Sequence, residues 1–267
     1  MPKISPETCE SVSVAVDAHV HIYEPSRALE ALAQAAQNVR RRSGLGRGAL
    51  LLTESGGFRV FDELAARATL GGPLEATSEA NALRFRHDAA DLLIIAGRQL
   101  VSAEGVEILA LGERAPSPDG APLEAMVDSL LARDLLVVAP WGVGKWLGRR
   151  KGLVQNLVAT RPIHLGDNGG RPALWRSPLF VEAGRRGRNV LPGSDVLPIP
   201  GRASGLASFG CVVDAPWDAE KPAQSLLNVL KTPQAKLRRY GDLRGVPAFV
   251  ADQLQLRLQK RRRMEAQ

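Results

Sequence analysis

Four histidines occur in the chain, and two of them, His19 and His21, stand two residues apart in the segment DAHVHIY (Asp17 to Tyr23). In an extended strand, residues i and i+2 project to the same face, so this spacing brings two imidazoles together, with Asp17 on the same parity. Paired imidazoles can share a metal ion. The pair could also be half-buried scaffolding, but its place at the end of the first apolar run favours ligation. The side chains available to complete such a site are oxygen ligands: Glu54, Glu104, Glu107, Asp167 and Asp195. Mixed imidazole and carboxylate sets suit Zn, Mn or Fe, acting as a Lewis acid or generating a metal-bound hydroxide.

A second constellation is cationic. WGVGKWLGRR (Trp141 to Arg150) is a glycine-containing loop that carries Lys145 and ends in Arg149 and Arg150. Glycine permits close backbone approach and Lys145 is a mobile point charge, a combination suited to phosphate or carboxylate. The alternative is a tight loop packed by Trp141 and Trp146. It is not a Walker loop, because no Ser or Thr follows the lysine. GDNGGRP (Gly166 to Pro172) is either a polar rim that includes Asp167 and Arg171 or a capped turn. His87, in a charged stretch, and His164, of opposite strand parity to Asp167, are expected to be structural. Cys211, inside an apolar strand, is expected in the core.

These residues need elements to bring them together. Val12 to Tyr23 reads as a first strand. Pro25 to Arg42 reads as a helix with Leu29, Leu32, Ala36 and Val39 on one face. Gly48 to Glu54 is a second strand, and Phe58 to Leu70 a helix. Asp91 to Gly112 contains two apolar runs joined at Ser102–Gly105, a β-hairpin. Leu123 to Arg133 is helical; strands follow at Leu135 to Ala139, Ile163 to Leu165, Asn189 to Leu191 (leading into PGSD, Pro192 to Asp195) and Ser208 to Asp214. Beyond Pro216, residues 216–267 read as helical, with Phe249, Leu254 and Leu258 on one face of the final helix.

Alternating strands and helices predict an α/β fold with a largely parallel sheet closed into a barrel inside an outer ring of helices. Strand after strand ends in a polar residue: His19 and His21, Glu54, Lys145, Asp167, Asp195. In α/β barrels the active site forms at the C-terminal strand ends, so these side chains are predicted to converge on one face.

The composition sets bounds. The 267 residues, 45% hydrophobic and 24% charged, suit one barrel-sized domain spanning residues 1–267. No apolar run approaches the roughly 18 residues of a membrane-spanning helix, so no membrane partner is expected. The start, Met1 to Ser13, is polar with Glu7 and Glu10, which argues against a secretory or transit peptide. Two distant cysteines, Cys9 and Cys211, make no disulfide framework, and a cytoplasmic location is expected. The net charge of +7 gathers in Arg40, Arg41 and Arg42; Arg149, Arg150 and Lys151; Arg185, Arg186 and Arg188; and the tail Lys260 to Arg263. Such clusters can hold nucleic acid or an anionic substrate. The simpler explanation for the first is that it complements the dipole of a helix stopping at Gly44. An anionic small molecule is therefore favoured over nucleic acid as the partner.

DAHVHIY resembles the opening motif of the amidohydrolase superfamily and of the polymerase and histidinol phosphatase (PHP) family. Four further segments, in family order over residues 14–215, favour the second. GRQ (Gly97 to Gln99) with VEILALG (Val106 to Gly112) is similar to the PHP Gly-x-Glu and the following His-bearing strand. VVAPWG (Val137 to Gly142) is similar to its Ala-His-Pro strand, LGDNGG (Leu165 to Gly170) to its Glu-x-x-Asn-Gly, and GSDVLPIPG (Gly193 to Gly201) to its closing Gly-Ser-Asp-x-His. The departures are that Gln99 replaces a metal-binding Glu, Glu107 a His and Leu197 the last His, while Ala139 runs directly into Pro140 without the intervening His. The resemblance therefore implies a TIM-related, distorted barrel with a reduced metal set: His19, His21, Asp195 and Glu107, holding one divalent ion (Zn, Mn or Fe) or two. It implies a metal-dependent hydrolase of phosphoesterase type, in which Lys145 and Arg171 bind the substrate anion and a carboxylate such as Glu54 or Asp167 takes the proton. The alternative is a catalytically silent barrel that binds a ligand or nucleic acid through its basic face.

Overall fold

The computed structural model describes residues 11–69, 71–114, 118–199 and 201–265, apart from the side chains of residues 260 and 263–265. Cys9, most of the polar start and part of the basic tail fall outside the described residues. In chain order the strands and helices are β1 (Ser11–Val20), α1 (Ala28–Ser43), β2 (Arg47–Leu52), α2 (Val60–Ala68), β3 (Leu74–Ala76), β4 (Ala82–His87), β5 (Ala90–Ile95), β6 (Gly97–Val101), β7 (Glu107–Leu111), α3 (Leu123–Ala132), β8 (Leu136–Pro140), α4 (Gly148–Thr160), β9 (His164–Asn168), α5 (Pro178–Arg185), β10 (Val190–Gly193), β11 (Gly210–Pro216), α6 (Pro222–Lys231), β12 (Arg238–Tyr240) and α7 (Val246–Glu265).

The fold is α/β, but among the described residues the predicted closed barrel is not formed. The strands make two mixed sheets, one ordered β12-β11-β1-β2-β5-β4-β3 and the other β10-β9-β8-β7-β6. Among the described strands, the parallel ladders are β1–β2, β2–β5, β8–β9 and β9–β10. The expected hairpin exists as β6–β7. The apolar run before it divides, however, at Ala96: β5 lies in the first sheet and β6 begins the second. Gly97 permits this crossing, because a Cβ there would lie 2.4 Å from the Leu52 carbonyl oxygen.

The sheets adjoin at two seams. At one, Glu54 bridges to Arg98 in parallel fashion. At the other, β10 runs beside β1 so closely that a Cβ on Gly193 would sit 2.4 Å from the His19 backbone nitrogen. The inter-sheet core includes Val14, Val16, Leu51, Ile95, Leu109, Val138 and Val213. Outside the first sheet, α1 and α2 pack through Leu32, Val39, Phe61 and Leu64. Outside the second, α3, α4 and α5 pack through Val127, Leu130, Val154, Leu157 and Ala183. The helix α1 ends as predicted: Gly44 is left-handed (φ +77°), its N–H donates to the Arg40 carbonyl at 3.1 Å, and three arginines occupy the last turn.

The C-terminal region departs from the helical expectation, since β12 extends the first sheet by pairing with β11. The face expected for α7 is also corrected: Leu254 and Leu258 are exposed. A buried carboxylate anchors the helix instead. Asp252 accepts from Arg244 at 2.9 Å and pairs with Arg202. Among the described residues, no helix is long and apolar enough to cross a membrane.

Candidate metal site

β1 pairs with β11 on one side and β2 on the other, and its register with β2 shifts between Asp17 and Val20. Such an irregularity re-aims side chains at a strand end. Asp17 is taken out of the row that strand parity assigns to it. Fully buried, it accepts N–H bonds from His19 (3.1 Å), Ser194 (2.8 Å) and Ala207 (3.0 Å), tying β1 to the two segments beside it. Burial still pushes its carboxyl up to about 7, against those bonds.

His19 and His21 do converge. Their Nε2 atoms lie 3.0 Å apart, and Asp195 Oδ1 lies 3.5 Å from the first and 3.7 Å from the second. The close passage of Gly193 delivers Asp195, whose N–H donates to the His19 carbonyl at 2.9 Å. Asp195 sits at φ +42°, a left-handed conformation that Asp tolerates better than most residues. Each of the three groups offers one ligand atom, all within 4.8 Å of one another.

Burial lowers both histidines to about 4, so at neutral pH they are uncharged, the form that binds metals. A neutral imidazole has one N–H, so at most one donor serves the 3.0 Å contact and ring lone pairs remain directed inward. The donor set, two neutral imidazoles and a carboxylate, fits a divalent transition ion. The surroundings are largely uncharged. Gln99 Oε1 is 3.2 Å from His19 Nε2 and Thr53 Oγ1 is 3.5 Å from His21 Nε2. Asn168 Nδ2 donates to Asp195 Oδ2 at 2.7 Å and to the Trp141 carbonyl at 2.8 Å, while its Oδ1 is buried without a partner. Tyr23 stacks on His21, with centroids 5.3 Å apart. Burial raises its phenol well above the ordinary range, so it stays protonated.

The remaining predicted residues divide sharply. Lys145 pairs with Glu107, and both act on the cluster electrostatically: Glu107 raises the proton affinity of His19 and Lys145 lowers it. Glu107 is thereby paired with the ammonium and is not among the three residues whose ligand atoms lie within 4.8 Å of one another. Trp141 and Trp146 are buried, so the loop is packed and cationic at once. Glu54 turns away: its Oε1 accepts from the Phe61 N–H at 2.7 Å at the start of α2, and its Oε2 lies 3.3 Å from Arg98. Asp167 and Arg171 are committed to each other through two bonds of 2.6 and 2.9 Å. Glu104 accepts from the Leu123 N–H at the start of α3. Neither Glu54, Asp167 nor Arg171 joins the histidine cluster.

Thr53, Gln99 and Asn168 take the positions around it. Each stands next to a charged residue (Glu54, Arg98, Asp167) that faces the opposite side of its strand. The family resemblance points to Gln99, in the place of a metal-binding Glu, and to the Asn-Gly segment that holds Asn168, whereas nothing in the sequence signals Thr53. His164 is structural as expected, with Nδ1 accepting from the Asn189 N–H at 3.0 Å, and Cys211 is fully buried.

Solved structures share this fold. PsfC from Pseudomonas syringae PB-5123 is 14% identical with a TM-score of 0.55, the likeness covering 93% of this chain and 98% of that one. The lesion-specific endonuclease PfuEndoQ from Pyrococcus furiosus is also 14% identical with a TM-score of 0.55, covering 87% of this chain and 60% of that one. Endonuclease Q in complex with a 27-mer duplex substrate with an abasic lesion at the active site is 12% identical with a TM-score of 0.50, over 86% and 58%. The chain thus spans about 60% of the length of the endonucleases it resembles. No protein-family model and no curated protein matches the sequence. At these identities the likeness shows a shared α/β fold.

Proposed function

We propose that the chain is a PHP-like, metal-dependent hydrolase that cleaves a phosphoester. The observation that carries this reading is the convergence of His19 Nε2, His21 Nε2 and Asp195 Oδ1. These residues would hold one divalent ion, Zn, Mn or Fe. Such an ion, when bound, supplies a Lewis acid and lowers the pKa of coordinated water. The protein's own groups do the rest. Asn168 fixes Asp195 by holding its second oxygen. Lys145, steadied by Glu107, neutralises charge on the substrate. The protonated Tyr23 phenol beside His21 can donate to a substrate oxygen.

Nucleic acid is the second reading for the substrate. It is favoured by the shared fold with endonuclease Q, whose structure holds a 27-mer duplex substrate, and by the net charge of +7.

Metal content and hydrolysis of p-nitrophenyl phosphate test the proposal together. Protein purified without chelators and offered Zn, Mn and Fe should retain about one ion per chain. His19→Ala/His21→Ala should lose the ion and, on the scale of metal-assisted hydrolysis, at least about 100-fold in rate, with its far-UV circular dichroism unchanged. A wild-type chain that retains none of the three ions overturns the reading.

A further inference from the structure

A cavity of about 760 Å³ opens beside His21, within the size range of small-molecule sites. One wall follows directly from the metal-site segment: Val196, Leu197 and Ile199 succeed Asp195 and are joined by Leu206. Val196, Ile199 and Leu206 are buried and packed, so the wall is preformed. Tyr23 and Ile22 close the side nearest His21, and Gln259 of α7 contributes at the far side. The helix is held there by the ion pairs of Asp252 with Arg202 and Arg244.

The charges on the lining are Glu24, Arg27 and Glu30. Arg27 lies 3.6 Å from Glu24 and 2.9 Å from Glu30, so the cation is matched and one negative charge is left over. A cleft of this kind has an apolar body and a faintly acidic rim. Polyanionic strands are recognised by unpaired Lys and Arg along the phosphate track, and among the described residues this lining offers none. A second phosphate placed here would meet carboxylates rather than a counter-charge.

We propose that this cleft receives the uncharged, apolar body of the substrate. Resting on the proposed hydrolase reading, this makes the substrate a small monoester: one anionic reacting group at His19, His21 and Asp195, and an alkyl or aryl group against Val196, Leu197, Ile199 and Leu206. The cleft selects the alcohol half, and the histidine cluster acts on the phosphate half.

The test uses the full chain, metal-loaded and metal-free, and n-alkyl phosphates from ethyl to octyl. Binding is measured by calorimetry and phosphate release by assay. Affinity should rise about fourfold per methylene over the first several carbons, the factor corresponding to burial of one CH₂. Ala203→Phe, at a lining position on an exposed turn, should weaken octyl phosphate binding at least about tenfold by filling the cleft. Its metal content and its affinity for inorganic phosphate should not change. Leu197→Ser, which shortens the wall without filling it, should flatten the chain-length slope and guards against misfolding of the first variant. A flat slope in wild type, or tighter binding of a single-stranded oligonucleotide than of octyl phosphate, overturns the inference. The two readings fail separately. A steep slope without retained metal or phosphate release sinks the hydrolase and keeps the cleft, whereas metal and turnover with a flat slope sink the cleft alone.

Discussion

Two buried polar clusters stand at strand ends of this molecule, and they are built on opposite principles. Asp167 and Arg171 close on each other: both carboxylate oxygens accept guanidinium N–H bonds, and Arg171 donates further to the Trp175 carbonyl and lies over the Phe180 ring at 5.4 Å. The second cluster, His19, His21 and Asp195, brings acceptors together, with two uncharged imidazoles facing a carboxylate and no cation among the three. A buried charge persists where it is paired and hydrogen-bonded. The first cluster meets that condition internally and acts as a lock. The second holds Asp195 by one amide donor, from Asn168, with no cation among its three groups, which is the arrangement that would leave room for an ion under the proposed function.

The sharpest way to break this comparison is to remove the lock's cation. Arg171→Ala leaves Asp167 buried with only Arg239, 3.8 Å away and half exposed, as a counter-charge. Loss of one partner of a buried pair costs about 3–5 kcal/mol, and a loss in that range is expected in urea denaturation. The double variant Asp167→Leu/Arg171→Met should recover most of it, since an apolar pair of similar bulk needs no counter-charge. Metal content should be unaffected throughout. Lost metal with intact stability would instead place Arg171 in the functional site.

Strand-end polar residues look alike in a sequence, and this is where legibility ended. The His-x-His pair and Asp195 could be read because their spacing and the Gly-Ser-Asp segment carry specific constraints; Gly193 is required by the backbone at His19. The α/β class and most helices followed from apolar periodicity. Glu54 and Asp167 are the charged residues at these strand ends, yet their neighbours Thr53, just beyond β2, and Asn168, in β9, face the site instead. Parity decides which neighbour faces inward, and it depends on registers that a single sequence does not display. The two-sheet arrangement was hidden for a related reason, since the division at Ala96 interrupts one continuous apolar run. β4 is hard to read from the sequence because it is short and, beyond Ala82 and Leu83, Phe85 is its only apolar residue, set between Arg84 and Arg86.

A smaller effect sharpens the contrast within one residue type. His164 is buried like the site histidines but has a protein partner in the Asn189 N–H, and burial together with Arg188 lowers it to about 4. Its neutral form is favoured in the folded state, so the unfolded chain takes up its proton first as pH falls. The associated stability is present above the unfolded pKa near 6.5 and is lost between there and about 4, roughly 3 kcal/mol at most. His164→Asn keeps an acceptor for the N–H and removes the titration. Urea midpoints compared between pH 7.5 and 4.5 should therefore fall less in the variant, with saturating EDTA in both samples so that proton-driven metal release does not contribute. An equal fall in both proteins would show that His164 is not the group responsible.

The smallest expected effect on stability belongs to Lys145, which stands between the two principles because it is a paired cation beside an unfinished cluster. Its ammonium meets Glu107, but Lys145 is 38% exposed, so a pair of this kind contributes within about 1 kcal/mol. Its influence on the cluster is electrostatic: it lowers the proton affinity of His19 and His21, and it opposes the burial that raises the Asp195 carboxyl. Lys145→Ala deletes a positive charge and frees the Glu107 carboxylate, and both changes favour a cation at the site. Metal affinity should therefore hold or rise, whereas affinity for inorganic phosphate should fall about tenfold or more, the scale of one close charge in a partly screened cleft. Lys145→Arg should restore only part of the phosphate affinity, because a planar fork does not reproduce a compact ammonium. Metal titration, phosphate titration and melting temperature on the same samples separate the possibilities. A large drop in melting temperature with unchanged phosphate affinity would assign Lys145 to the packing of its loop, with Trp141 and Trp146, and remove it from the site.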